Sequence, residues 1–221
     1  IRDLMEGFDS TQVDGLSFSG QMHGLVLLDE RDQVIRPAIL WNDGRTAEET
    51  EWLNSEIGEE RLADLTGNIA FAGFTAPKLL WVRKHEPENF RRIHRIMLPK
   101  DYLAYRMTGV HSTDYSDAAG MLLLDTAHKC WSAEMLYICG VTKEQMPRLF
   151  ESWQVISTLT GRVAQDLGLP PHVRVCAGAG DNAAAAVGTD TLSDGSCNIS
   201  VGTSGTIFIA CDQFRLPKNH A

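Results

Sequence analysis

Short apolar runs broken by polar turns fill the N-terminal part of the chain. "VDGLSFSG" (13–20), "LVLLD" (25–29) and "VIRPAILW" (34–41) are separated only by "QMHG" and "ERDQ". That spacing predicts three strands lying as antiparallel neighbours, a meander within one sheet. From Arg45 the pattern becomes helical. "TAEETEWLNSEIG" offers Thr46 as an N-cap, Glu49 three residues on and Gly58 as a stop. "APKLLWVRKH" has Pro77 near the first helical position and basic residues in its last turn, and "LPKDYLAYRMTG" ends at Gly109. "TKEQMPRLF" and "GRVAQDLG" read as shorter helices.

The C-terminal part returns to strands. An apolar run, "VRVCAGAG", leads through glycines into the alanine-rich helix "NAAAAVG", then "SCNIS", the loop "VGTSG" and "TIFIA". Strands, a helical block, then strands and a helix again predict an α/β domain whose middle helices cover one face or end of the sheet. A glycine turn into a helix start attracts anions. Yet Gly178 and Gly180 lack the spacing of either nucleotide fingerprint, and Asp181 stands where a phosphate would otherwise sit.

Bulk composition narrows the class. The chain has 221 residues, 43% hydrophobic and 22% charged, values of an ordinary globular protein. A net charge of -9 argues against general affinity for nucleic acid. No apolar run is long enough to span a membrane, and "IRDLMEGFDS" has no signal-peptide character. Cytoplasmic localisation follows as the expectation. Five cysteines, an odd number without a CxxC pair, read as reduced thiols rather than a zinc site.

Several residues have both a structural and a chemical reading. Asp181 is either a helix N-cap, worth roughly 0.5–2 kcal/mol over Ala, or a carboxylate held at a strand end as a general base. "SVGTSG" (200–205) is either a hairpin turn or a nest of backbone N–H groups, with the Thr203 and Ser204 hydroxyls, that binds phosphate. "GQMHG" places Met22 and His23 either in a solvated turn or against a small polar ligand. "WNDGRT" (41–46) is either a sugar-pocket wall or an Asx turn. Asp101, Asp114 and Asp117 fall near helix or turn starts, where capping is the default. The remaining histidines (85, 94, 111, 128, 172, 220) show no metal-ligand spacing, and no G-x-S-x-G elbow occurs.

Taken together, these segments resemble the FGGY carbohydrate kinases. In "GFTAPKLLWVRKH", Thr75, Lys78, Leu79, Trp81 and His85 match the first signature of that family. "GQMHG", "RPAILWNDGRT", "LPKDYL", "TDYSDAAG" and "GDNAAAAVG … SVGTSG" follow in the order found in its bacterial xylulose-phosphorylating branch. The resemblance implies an α/β, ribonuclease H-like (actin-like) fold and ATP-dependent phosphorylation of D-xylulose to xylulose 5-phosphate. It implies Asp181 as the catalytic base, Met22, His23 and Asn182 as sugar contacts, and Gly202, Thr203 and Ser204 as a phosphate loop. ATP and Mg²⁺ are the expected cofactors, with no metal-ligand set in the chain itself and with a homodimer left open.

The sequence departs from the family at two points. The Asp-Gly-Thr hairpin that begins the family's polypeptide has no counterpart, nor has the second domain with the adenosine pocket. Residues 1–221 are therefore expected to be an N-terminal kinase domain without its first strands, inactive alone. Two other readings stay open: an FGGY kinase for ribulose, fuculose or glycerol, and a non-catalytic sugar-binding domain.

Overall fold

The computed structural model describes residues 1–202 and 205–216. Its elements alternate as the composition suggests, but the pairing of the first strands differs from a meander. Gly15–Leu16 lies parallel to Arg174–Cys176, and Ser19–Gly20 lies parallel to Ala179–Gly180. Only the later two runs are antiparallel neighbours, through isolated bridges Leu25–Ile39 and Leu28–Val34. Val26–Leu28 pairs instead with Arg95–Met97. The physical reason lies in "QMHG": His23 is held at φ +68°, and its turn carries the chain away from the first strand rather than back along it.

The helical block follows the predicted signals with local exceptions. Pro99–Thr108 has proline at its start and Gly109 as a left-handed stop at φ +75°. Thr75–His85 carries Arg83, Lys84 and His85 in its last turn, where the dipole favours them. Thr46 does not cap the helix Ala47–Trp52; its hydroxyl donates to the Ala72 carbonyl at 2.8 Å. Gly58 does end its helical run, at φ +94° and ψ 137°, outside the helical region. A π turn, Leu53–Gly58, leads up to it, and a second helix, Glu59–Thr66, starts directly after; Leu53 and Leu62 on either side both bury in the core. "TKEQ" makes only a single 3₁₀ turn, Lys143–Gln145, cut short by Pro147 before the strand Arg148–Phe150.

One core cluster gathers Leu25, Leu27, Leu79, Val82, Ile96 and the run Met121–Leu124 between these helices and strands. A smaller one, with Met107, Leu159, Val173 and Val175, backs the parallel pair that leads towards Asp181. Burying each such side chain contributes roughly 1.5–3 kcal/mol, so the strands entering the cleft are anchored. All five cysteine thiols are free. No described helix is long and apolar enough to cross a membrane.

Candidate active site

The two parallel pairs decide where the polar candidates meet. Ala179 registers with Ser19 and Gly180 with Gly20. Parallel strands end at the same edge, so the turn after Gly20 and the helix after Gly180 emerge side by side, the usual place for a ligand in such sheets. Met22 and His23 come from the first, Asp181 and Asn182 from the second. They line one cleft of about 270 Å³ with Trp41. Ser200 and Thr206 close it from the hairpin of Cys197–Val201 and Gly205–Ile209. The sequence named four of these residues and suspected Trp41.

Asp181 is the first residue of the helix Asp181–Gly188, and Gly180 occupies the N-cap position. The capping reading therefore fails in its usual form. The Asp181 side chain is exposed to the cleft and, among the described residues, accepts only the N–H of Asn182, at 2.9 Å. Ala183–Ala186 are strong helix formers, and Ala186 packs inward, which fixes the axis that carries the carboxylate. Asn182 Nδ2 lies 3.8 Å from the Met22 sulfur, a direct contact across the two turns.

The close approach requires glycine. A Cβ on Gly180 would stand 2.9 Å from Met22 Cγ, and one on Gly120 would stand 2.5 Å from His23 Cε1. His23 Nδ1 is 2.7 Å from the Gly120 carbonyl. That carbonyl can only accept, so Nδ1 carries the proton and Nε2 of the neutral ring is left as an acceptor. Burial lowers the pKa of His23, which favours this neutral form. Phe74 stacks on the imidazole with centroids 4.6 Å apart.

The family signature explains how that turn is held. Lys78 is fully buried, and its ammonium donates to the carbonyls of His23, at 2.8 Å, and Gly73, at 2.5 Å. Thr75 Oγ1 donates to the same His23 carbonyl at 3.1 Å. Burial pulls the Lys78 ammonium down to about 8. "WNDGRT" combines both readings: Trp41 walls the cleft, while Asp43 accepts the Arg45 backbone N–H at 3.0 Å in an Asx turn and pairs with its guanidinium.

Behind the cleft lies a cluster that capping arguments missed. Lys100 Nζ is 2.7 Å from Asp101, 3.1 Å from Asp114 and 3.7 Å from Asp117, and all four side chains are buried. Burial works against the ammonium, but the three carboxylates together hold its pKa above the usual range. Burial, then Asp101, raises Asp117 well above the ordinary carboxylate range and favours its neutral form. Of the three, only Asp114 caps a helix, accepting from the Ser116 N–H at the start of Tyr115–Ala119. The adjacent Lys-Asp of "LPKDYL" and the spaced aspartates of "TDYSD" were the available signal.

Gly202 follows the strand Cys197–Val201 and is exposed, whereas Thr203 and Ser204 lie outside the described residues. Among the described residues, no group of three or more His, Cys, Asp or Glu side chains is arranged to hold a metal ion. The expected Mg²⁺ finds no ligand set among them.

The α/β domain places a polar cleft at the carboxyl ends of parallel strands, with an exposed carboxylate at a helix start beside a histidine acceptor, and its structural neighbours put the fold in the ribonuclease H-like, actin-like class. The chain belongs to the FGGY family of carbohydrate kinases: the family model for the N-terminal domain matches residues 1–188. It is 49% identical over 202 residues to a xylulose kinase of Klebsiella pneumoniae, covering 91% of this chain and 41% of that protein. The crystal structure of a xyloylose kinase from Brucella ovis superposes with a TM-score of 0.91 at 42% identity, over 98% of this chain and 44% of that one. A ligand-bound xylulose kinase from Lactobacillus acidophilus gives 0.93 at 27% identity, over 99% and 44%. The chain thus spans about two fifths of the length of the relatives it matches.

Proposed function

We propose that this chain supplies the sugar-binding and general-base side of an ATP-dependent kinase that phosphorylates D-xylulose to xylulose 5-phosphate. Asp181 orients and deprotonates the attacking hydroxyl. Met22 and Asn182 pack and hydrogen-bond the ketose, and the His23 acceptor takes a proton-bearing sugar hydroxyl. ATP, the second substrate, supplies the phosphoryl group. Gly202, Thr203 and Ser204 are assigned to its phosphates by sequence alone.

One observation carries this reading: Asp181 opens its carboxylate into the same cleft as Met22, His23 and Asn182. Phosphoryl transfer depends mainly on positioning, and a fixed carboxylate at the nucleophile is what it requires. The similarity to xylulose kinases supports the choice of sugar. Because those relatives are longer, the chain by itself is proposed to hold the nucleotide poorly and to turn over little ATP.

The deciding experiment is Asp181→Asn in the full-length protein. The expected result is a loss of kcat of roughly 10²–10⁴ with ketose binding retained. Unchanged turnover would remove the base assignment. An active enzyme that prefers ribulose, fuculose or glycerol over xylulose in side-by-side assays would remove the sugar assignment and keep the rest.

A further inference from the structure

The segment that delivers Asp181 is tied down at both ends by one buried polar cluster. At its start, the Ala177 carbonyl accepts from Lys100 Nζ at 3.1 Å. At its end, the N–H of Gly180, the residue before Asp181, donates to Ser116 Oγ at 3.1 Å. The Ser116 hydroxyl in turn donates to Asp114 Oδ2 at 2.5 Å. That oxygen also accepts from the Ser116 N–H at 3.0 Å and from Ser152 Oγ at 2.7 Å, and Asp114 Oδ1 faces Lys100. Ser152 closes the circuit: its own carbonyl accepts the N–H of Gly178.

Stability is a poor reason for such a construction. Burying an ammonium among carboxylates costs desolvation that well-packed apolar side chains would avoid. What ions and hydroxyls provide, and apolar groups do not, is direction. Each bond fixes an angle as well as a distance, and linked bonds reinforce one another where the dielectric is low. Among the described residues the Asp181 side chain has no holding partner beyond the N–H of its neighbour. Its aim must be set through its backbone.

We propose that the relay Lys100–Asp114–Ser116–Gly180 is the positioning device of the reaction, with Ser116 the residue that transmits it to the base. The proposal rests on the reading of Asp181 as that base. Ser116 is a positioning residue, since it lines no part of the cleft and acts through the Gly180 peptide.

The test compares Ser116→Ala, Ser116→Thr and Asp181→Asn in the full-length protein. Three quantities are read: kcat and KM for the ketose, the thermal midpoint, and hydrogen exchange of the backbone amides of residues 177–182. Ser116→Ala is expected to lower kcat about 10- to 100-fold, to leave ketose KM within about 2-fold, and to speed exchange of the Gly180 amide by at least about 10-fold. Ser116→Thr, which keeps the hydroxyl, is expected to restore most of kcat and the slow exchange. Unchanged kcat in Ser116→Ala, beside an inactive Asp181→Asn, overturns the relay and spares the base. A loss in Ser116→Ala that only tracks a lowered thermal midpoint, or that threonine does not rescue, also overturns it. Full turnover in Asp181→Asn removes the base, and the relay's role with it.

Discussion

Gly20 and Gly180 are partners in a parallel strand pair, and each is followed within three residues by the groups that line the cleft. The register of this one pair places Met22 against Asn182 and both beside Asp181. A slip of one residue would turn one of these turns to the other face of the sheet. The site is therefore a consequence of strand pairing between segments far apart in sequence.

Gly120 marks where the fit is tightest. Gly120→Ala puts a methyl 2.5 Å from the His23 ring and 2.8 Å from Met22 Cε, at a backbone conformation that alanine tolerates. The penalty falls on the cleft, since His23 and Met22 must move. Ketose KM is expected to rise at least about 10-fold with a smaller change in kcat. Saturation kinetics check this, and an unchanged KM would show that the ring is free to shift.

Protonation of His23 is resisted by burial. Its folded pKa lies below the ordinary 6.5, so its contribution to stability is present above 6.5 and is lost as pH falls from 6.5 through the depressed folded value. Ketose binding is expected to stay level down through pH 6.5 and to weaken only below the folded value, when Nε2 stops accepting. An NMR titration of the His23 ring checks the order, and a midpoint at or above 6.5 contradicts it.

Lys78 gives a signal on the alkaline side. Its folded value of about 8 lies under the ordinary 10.5, so between them the unfolded chain binds the extra proton. Stability referred to this group therefore rises with pH across that window, by about 3 kcal/mol at its end. The difference in unfolding free energy between the natural chain and Lys78→Met is expected to grow from pH 8 to 10.5. Denaturant titrations at several pH values measure it, and a flat difference would mean that the ammonium is well solvated.

Removing Lys100 leaves Asp101, Asp114 and Asp117 buried without their cation. Lys100→Met is expected to cost about 3–5 kcal/mol at neutral pH, the usual penalty for breaking a buried ionic set. The orphaned carboxylates then favour their protonated forms, so the folded state binds more protons than the unfolded chain, and the variant regains stability as pH falls. Urea unfolding at pH 5 and 7.5 tests the sign. Equal loss at both would indicate that water reaches the cluster.

Much of the helical framework was legible because its signals are local. Pro99, Gly109 and the basic end of Thr75–His85 act within one or two turns of the residue concerned. Asp181, Met22 and His23 stood out for the same reason, beside glycines at the ends of apolar runs. Thr46 misled because a distant partner, the Ala72 carbonyl, outcompeted the local preference for its hydroxyl. The Lys100 cluster was hidden because each aspartate alone looks like a cap.

The residues themselves determined the chemistry on offer: a carboxylate at a helix start, an imidazole before a glycine, a lysine in a family signature. Tertiary structure alone decided that strand 13–20 pairs in parallel with 174–180, that Gly120 presses on His23, and that Ser116 reaches the Gly180 peptide. Local preferences select helix, strand or turn over a few residues. Partners 64 or 97 positions apart are chosen by burial and by the need to satisfy every enclosed polar group, which no window of sequence contains.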